Sequence, residues 1–516
     1  MATVFVPLTV NDFLRRAETV YPDRVAVVDE PDQPAAPLGS PTGTLTYREL
    51  AAKARAQAAW LDDLGVPVGG RVAIVSQNSA RLLTSFYGVS GSGRVLVPVN
   101  FRLAPPEVEY IVEHSGAEVL LVDPEVDDVL SGVTARHRLV LGESDDVVFP
   151  EGRVGRPWAG DEGATATINY TSGTTARPKG VQLTHRNLWI NAVTFAMHVT
   201  ASDRDVLLHT LPMFHANGWG MPYAVTGVGG RHIVLRKVDG AEILRRIDEH
   251  GVTLMCGAPA VLAAVLDAAA TWDGPIPGRD RVRVVVAGAP PPTRTIERIE
   301  TELGWEFIQI YGLTETAPLL TVNRRRAEWD DLDAHERAKR LGRAGAPALG
   351  IALKVDEFGE ILARGNVVLE SYWDQPEQTA IALEGGWFHT GDGGTIDDGY
   401  VTISDRKKDV IITGGENVSS IEVEDTLANH PHIREVAVVG TPDEKWGEAV
   451  TALVVTDGTP LTAEEVIAHC RANLAGYKCP KRVEFRDALP RTATGKLQKF
   501  LLRQDFWQGE ERSIKG

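Results

Sequence analysis

Tyr170-Thr-Ser-Gly-Thr-Thr-Ala-Arg-Pro-Lys-Gly180 is the stretch on which the reading of the chain turns. It gathers four hydroxyl residues (Thr171, Ser172, Thr174, Thr175), a glycine (Gly173) and two cations (Arg177, Lys179). Before it, Ala164 to Tyr170 alternates small, β-branched and apolar residues, as a strand does. After it, His185 to Val199 can run as a helix. The expected unit is strand, flexible loop, helix. Such a unit has the parts of a phosphate cradle. Glycine lets the backbone approach an anion, hydroxyls and N–H groups donate, and lysine adds a point charge. The spacing G-x-x-x-x-G-K-[ST] of the common P-loop is absent. Taken alone, the same composition also suits a polar surface loop.

Outward from this stretch the chain alternates strand and helix. Leu50, Ala54, Ala58 and Leu61 recur at helical spacing within Thr46 to Leu64, and Gly65, Gly69 and Gly70 stop that helix. Arg71 to Ser76, Val95 to Val99 and Glu118 to Asp123 read as buried strands, with helices from about Ser79 and over Pro105 to His114. Beyond the opening stretch the pattern resumes. Strands are expected at Asp205 to Leu211, Gly230 to Lys237, Thr253 to Cys256, Arg281 to Ala287 and Glu306 to Tyr311, and helices at Ala241 to His250 and Ala258 to Ala269. Two sets of βα units, before and after about residue 165, predict two related parallel α/β subdomains. From about Gly342 short β segments and glycine turns predict a small β subdomain, including Val367 to Tyr372 and Gly394 to Ile403. A fresh α+β set follows the charged run Asp405-Arg-Lys-Lys-Asp409. The boundary is therefore placed at Asp405, giving domains 1–404 and 405–516. Pro31 to Gly43 reads as an exposed loop, and the tail after Phe506 as fraying.

Composition limits the partners. A chain of 516 residues exceeds one compact core. Hydrophobic residues at 43% and charged residues at 24% fit an ordinary soluble enzyme. A formal net charge of −17 argues against nucleic acid as the main partner, though local cations still decide anionic substrates. Cys256, Cys470 and Cys479 have no metal-like spacing and fit a reducing, cytoplasmic setting. No signal peptide and no membrane span are expected.

Four further constellations carry chemistry. Tyr311-Gly-Leu-Thr-Glu-Thr316 ends a predicted strand, where ligands gather in open α/β sheets. Glu315 there suits Mg²⁺, which takes one or two carboxylates plus phosphate oxygens; it also suits a plain turn. Trp387-Phe-His-Thr-Gly-Asp392 sets an aspartate after a glycine turn, apt for ribose hydroxyls, with Arg406 as a second candidate. Pro490-Arg-Thr-Ala-Thr-Gly-Lys496 carries a lysine on a Thr/Gly loop. Pro212-Met-Phe-His-Ala-Asn-Gly-Trp219 is aromatic and glycine-broken, either core packing or the wall of an apolar pocket.

In order and together, these segments resemble the adenylate-forming superfamily of acyl-CoA synthetases, peptide-synthetase adenylation domains and firefly luciferase. The likeness runs from Leu45-Thr-Tyr-Arg-Glu-Leu to Thr494-Gly-Lys-Leu-Gln-Lys499. Phe388-His-Thr-Gly-Asp, Lys408-Asp-Val-Ile and Gly414-Gly-Glu-Asn are most similar to the AMP-forming fatty- and aryl-acyl-CoA synthetase branch. The resemblance implies ATP, Mg²⁺ and CoA. Ser172, Gly173, Thr174, Thr175 and Lys179 would hold the β- and γ-phosphates, Thr171 beside them would bind the cofactor, and Thr174 and Glu315 would sit at the metal. Gly288, Ala289 and Pro290, with Tyr311, would frame adenine, and Asp392 and Arg406 would take the ribose. Lys496 would bridge the acid's carboxylate and the α-phosphate, and Asp405 would be the hinge of a mobile C-terminal domain. Gly414, Gly415 and Glu416 would line the pantetheine tunnel; His215, Trp219 and Ala317 would edge the acyl pocket. His215, Glu315, Thr174 and Lys496 are thus the expected catalytic set.

The implied reaction is attack of a carboxylate on the α-phosphorus of ATP, then transfer of the acyl group from AMP to the CoA thiol. A medium- to long-chain fatty acid is the expected substrate, from the aromatic gate position of Trp219. Aryl, short or thio-substituted acids are the alternatives; Trp329-Asp-Asp-Leu-Asp-Ala-His-Glu-Arg-Ala resembles a branch that takes short, medium or thio-substituted acids as well. A carrier protein in trans stands open as acyl acceptor, and a homodimer as assembly. The chain departs from the family at Ala176, where glycine is usual, and in a shortened Lys354 to Arg364; His389 is given no role.

Overall fold

The computed structural model describes residues 4–29, 43–171, 178–288, 291–406, 409–413, 416–443, 446–491 and 497–507, without the side chains of Asp405, Arg406 and Asn417. The expected loop from Pro31 lies almost wholly outside these residues, as does the tail after Trp507.

Two mixed sheets form the large N-terminal part. The first runs in the order Ser371–Tyr372, Lys179–Thr184, Thr165–Thr171, Val95–Val99, Arg71–Val75, Val119–Val122, His137–Val140. The second runs Ala346–Pro347, Leu319–Arg324, Glu306–Gly312, Arg283–Val286, Leu254–Gly257, Val206–His209, Arg231–Val234, Val25–Asp29, Gly43–Thr46. Inner strands are parallel and the outer ones antiparallel, except that the edge strand His137–Val140 is parallel to Val119–Val122. The parallel strands are short unbroken apolar runs, such as Val-Leu-Val-Pro-Val over 95–99, because helices cover both faces. Those helices begin on side-chain caps. Thr46 and Glu49 form a capping box on Tyr47–Asp63, and Ser79 accepts from Leu82 N–H at the start of Ala80–Gly88.

Side chains at the carboxyl ends of strands lock the two sheets together. Arg236 Nη2 meets Asp123 Oδ1 at 2.9 Å, both groups almost wholly buried. Asn78 donates to the carbonyls of His209, Leu211 and Leu235 and accepts from Met213 N–H at 2.7 Å. This seam holds the Pro212–Gly220 segment in place.

A four-stranded antiparallel sheet follows, Ala352–Val355, Glu360–Arg364, Phe388–Asp397 and Tyr400–Arg406. The small C-terminal part has five strands, Glu416–Val418, Ile411–Thr413, Gly447–Thr456, Ile433–Asp443 and Arg482–Phe485, with helices Ser420–Ala428 and Ala463–Asn473. The architecture is the expected one, two α/β subdomains and a small β subdomain before an α+β C-terminal domain.

Three local expectations differ. The opening stretch is not strand–loop–helix. Lys179–Thr184 is itself a strand, antiparallel to Thr165–Thr171 with Thr171 opposite Lys179, and helix His185–His198 starts only after it. Val181 and Leu183 point into the core and fix that register. Of Val367 to Tyr372, only Ser371–Tyr372 forms a strand, and it pairs with Lys179–Thr184 rather than within the small β sheet. The division near residue 165 is not clean, because Val25–Asp29 joins the second sheet beside Arg231–Val234.

Candidate active site

A cleft of about 2530 Å³ opens beyond the carboxyl ends of the central strands and extends to the C-terminal domain. Thr171, Lys179, His215, Trp219, Gly288, Tyr311, Glu315 and Asp392, all singled out from sequence, line it. Strand ends converge here because each parallel strand hands its chain to a loop at the same edge.

At one end the antiparallel pair Thr165–Thr171 and Lys179–Thr184 presents Lys179. Its Nζ donates to Gln378 Oε1 at 2.7 Å and stands 4.9 Å from the centre of the Tyr372 ring. The Tyr372 hydroxyl donates to Glu315 Oε1 at 2.9 Å. Burial, and next the Glu315 carboxylate, push that hydroxyl far above the ordinary tyrosine range, so it stays a donor. Glu315 sits on the short turn Thr314–Thr316 that follows strand Glu306–Gly312, and its carbonyl accepts from Leu369 N–H at 2.7 Å. Lys179, Tyr372 and Glu315 therefore form one contiguous group, although 57 residues separate Tyr372 from Glu315 in sequence.

In the middle of the cleft, the Tyr311 hydroxyl donates to Asp392 Oδ2 at 2.9 Å. Asp392 is buried, its N–H bonded to Thr390 Oγ1, and its backbone lies opposite Arg406 in the hairpin register. His389 Nδ1 is 3.3 Å from Glu360 Oε2. Gly288 has φ of +94°, a conformation that a side chain would strain. Gln309 is buried in the cleft wall, and its Oε1 has no hydrogen-bond partner among the described residues.

The third region is the turn after Phe214. Ala216, Asn217, Gly218, Trp219 and Gly220 all have positive φ, an uninterrupted left-handed turn. Such backbone costs roughly 1–2 kcal/mol per non-glycine residue, so surrounding bonds must hold it. Asn217 exchanges side-chain bonds with Asn169 and donates to Thr167 Oγ1 at 3.0 Å. Asn191 donates to the Trp219 carbonyl at 3.1 Å and accepts from Leu319 N–H at 3.1 Å. Trp219 is 4% exposed, Ala317 is fully buried, and Pro318 beside it lines the cleft.

Ser172, Gly173, Thr174, Thr175, Ala289, Pro290, Gly414, Gly415 and Lys496 lie outside the described residues, as do the side chains of Asp405 and Arg406. Glu416 is exposed at the start of strand Glu416–Val418. Sequence reasoning missed Tyr372, Gln378, Gln309 and the asparagine network. A helix-start signal, Pro376, follows Tyr372, but the placement of Tyr372 in the cleft depends on a pairing nearly 200 residues long.

Residues 14–373 match the family model described as AMP-binding enzyme, and residues 422–496 match its C-terminal domain. The chain belongs to the AMP-binding enzyme family. Among relatives of this AMP-binding enzyme, 4-hydroxybutyrate–CoA ligase 2 of Metallosphaera sedula is 37% identical over 98% of the chain and 95% of the relative. The 2-methylpropanoate–CoA ligase CCL4 of Humulus lupulus is 38% identical over 96% and 95%. A fatty acyl CoA synthetase of Mycobacterium tuberculosis superposes with a TM-score of 0.74 at 31% identity, covering 98% and 99% of the two chains. An anthranilate CoA ligase in complex with anthranoyl-AMP superposes at 0.86 with 26% identity over 98% and 99%. The AMP-binding enzyme described here is thus an AMP-forming acid–thiol ligase. It joins a carboxylic acid to ATP as acyl-AMP with loss of pyrophosphate, then passes the acyl group to CoA with loss of AMP. Among the described residues no helix is long and apolar enough to cross a membrane.

Proposed function

We propose that the acid is a short aliphatic one of about four carbons, rather than the medium- to long-chain fatty acid expected from the position of Trp219. The observation that carries this reading is the buried Trp219 on its left-handed turn. A large side chain held by a strained, bonded backbone suits a closed pocket wall better than a swinging gate. The hydroxybutyrate and 2-methylpropanoate ligases, aligned over nearly the whole chain, support it. An aryl acid is the second reading, supported by the superposition on the anthranilate ligase.

Within that reading Lys179 neutralises the leaving pyrophosphate. Tyr311 flanks the adenine, Gln309 Oε1 accepts from its amino group, and Asp392 takes the ribose with Arg406. Lys496 bridges carboxylate and α-phosphate before the C-terminal domain turns at Asp405 and Gly414, Gly415 and Glu416 admit the pantetheine. Charge neutralised at both ends of the in-line displacement supplies most of the rate in such transfers. Glu315, with Thr174, fits a nucleotide-borne Mg²⁺, since such an ion needs one or two protein oxygens and takes the rest from phosphate and water. Bound there, the ion adds Lewis-acid neutralisation of phosphate charge.

Pyrophosphate release across straight, branched and aromatic acids tests the substrate. The expected optimum is near four carbons. An optimum at ten carbons or more restores the fatty-acid reading, and one on benzoate-like acids favours the second.

A further inference from the structure

Lys179 has a protein partner of its own in the cleft. Gln378 Oε1 accepts from its Nζ at 2.7 Å, and the Tyr372 ring lies 4.9 Å from the charge on another side. Among the described residues no carboxylate forms an ion pair with it. Both neighbours are neutral, and that has a consequence. An amide oxygen and an aromatic face attract an ammonium without cancelling its charge, whereas a carboxylate would satisfy it and leave little for an anionic ligand. An ammonium has three protons, so one bond to Gln378 leaves donors over.

Gln378 is also firmly placed. It sits half-buried on helix Pro376–Ala382. That helix is tied to the strand before it by Thr379 Oγ1, which accepts from Tyr372 N–H at 2.9 Å and donates to the Gln375 carbonyl at 2.8 Å. Trp373 N–H donates to the Gly180 carbonyl at 2.7 Å, fastening the same segment to the lysine's own strand. Segment 371–382 thus brackets Lys179 through backbone, ring and amide together.

We propose that Gln378 is a positioning residue for Lys179, holding the ammonium in place by a neutral hydrogen bond while leaving its full charge for the nucleotide's phosphates. This rests on the reading that Lys179 meets those phosphates. A long lysine side chain loses much rotamer freedom when it grips a ligand, and a fixed acceptor removes part of that loss in advance.

Calorimetric titration of the full chain with ATP and magnesium, in the absence of acid, tests it. Gln378→Met keeps the length and loses the acceptor; it is expected to weaken binding ~fivefold, since only part of one bond to a charged donor is felt by the nucleotide. Gln378→Glu keeps an acceptor but pairs with the charge, and is expected to weaken binding by ~tenfold or more. In a Lys179→Met background Gln378→Met should have no further effect, a non-additivity that loss of helix packing would not give. Midpoints of thermal unfolding should stay within a few degrees. Unchanged or tighter binding by Gln378→Met, or equal effects with and without Lys179, overturns the role of Gln378. If Lys179→Met itself leaves binding unchanged, Lys179 is not on the phosphates, and the reading beneath this inference falls with it.

Discussion

At the scale of single residues, Tyr372 joins the two groups to which the proposed function assigns the phosphates and their metal. Its ring lies beside Lys179 and its hydroxyl bonds Glu315. Tyr372→Phe keeps the ring and deletes the donor. A bond to a charged group contributes about 1.5–3 kcal/mol, and here part of it fixes the rotamer of Glu315. The expected result is a fall in kcat of ~tenfold with a higher magnesium concentration for half-maximal rate, both following from a looser carboxylate. Titration of pyrophosphate release against magnesium checks it; an unchanged magnesium dependence would show that the hydroxyl does not orient Glu315. Lys179, Glu315, Tyr311 and Asp392 were legible in the sequence because each sits in a short run with its own chemical signature. Tyr372 was not, because its position follows from a two-residue strand, Ser371–Tyr372, added to the edge of a sheet built from residues far earlier in the chain.

At the scale of elements, the left-handed turn Ala216–Gly220 is held by backbone strain on one side and buried amide bonds on the other. Gly220 is its closing residue, with φ of +79° and the Asn191 amide packed where a β-carbon would stand. Gly220→Ala must therefore displace Asn191, which holds both the Trp219 carbonyl and the Leu319 N–H. The expected cost is roughly 2 kcal/mol, from strain plus a disturbed buried amide. Because Trp219 and Pro318 move with it, KM for the acid should rise severalfold while KM for ATP holds. Steady-state kinetics with each substrate varied in turn separates the two, and a matching rise in both would place the turn outside the acyl pocket. Glycines in this run hinted at a turn, but left-handed φ at Ala216, Asn217 and Trp219 is imposed by the buried network of Asn169, Asn191 and Asn217, which no local propensity encodes. The strand Lys179–Thr184 was likewise hidden. Its inward Val181 and Leu183 are too few to outweigh the helix signal that starts at Thr184, and only pairing with Thr165–Thr171 makes them a strand.

At the scale of the whole molecule, two features set stability and motion. His185, His209 and His232 are buried and held neutral. Burial lowers His185 to about 4 and His232 to about 3, and burial followed by the neighbouring His232 lowers His209. Each binds a proton more readily unfolded than folded, so its contribution is complete above the ordinary histidine value near 6.5 and is lost as pH falls toward the folded value. His185→Gln, which keeps an acceptor for Val10 N–H, removes one such group. Between pH 7.5 and 5.5 the unaltered chain should lose about 1.3 kcal/mol more than the variant, by linkage, in urea unfolding. Equal losses would mean that His185 takes up a proton as readily folded as unfolded. The second feature is the seam between domains. Asp425, on helix Ser420–Ala428, accepts from Thr293 N–H at 2.9 Å and from its hydroxyl at 3.3 Å. This bond belongs to one arrangement of the two domains. If the C-terminal domain alternates about Asp405, Asp425→Ala destabilises this arrangement alone, by about 1 kcal/mol or a fivefold shift in population. On that reading adenylation and thioester formation use different arrangements, so the two half-reactions should change in opposite directions. ATP–pyrophosphate exchange reports the first, and CoA consumption from supplied acyl-AMP the second. Equal losses in both would mean that Asp425 supports folding of the seam, not the choice between arrangements.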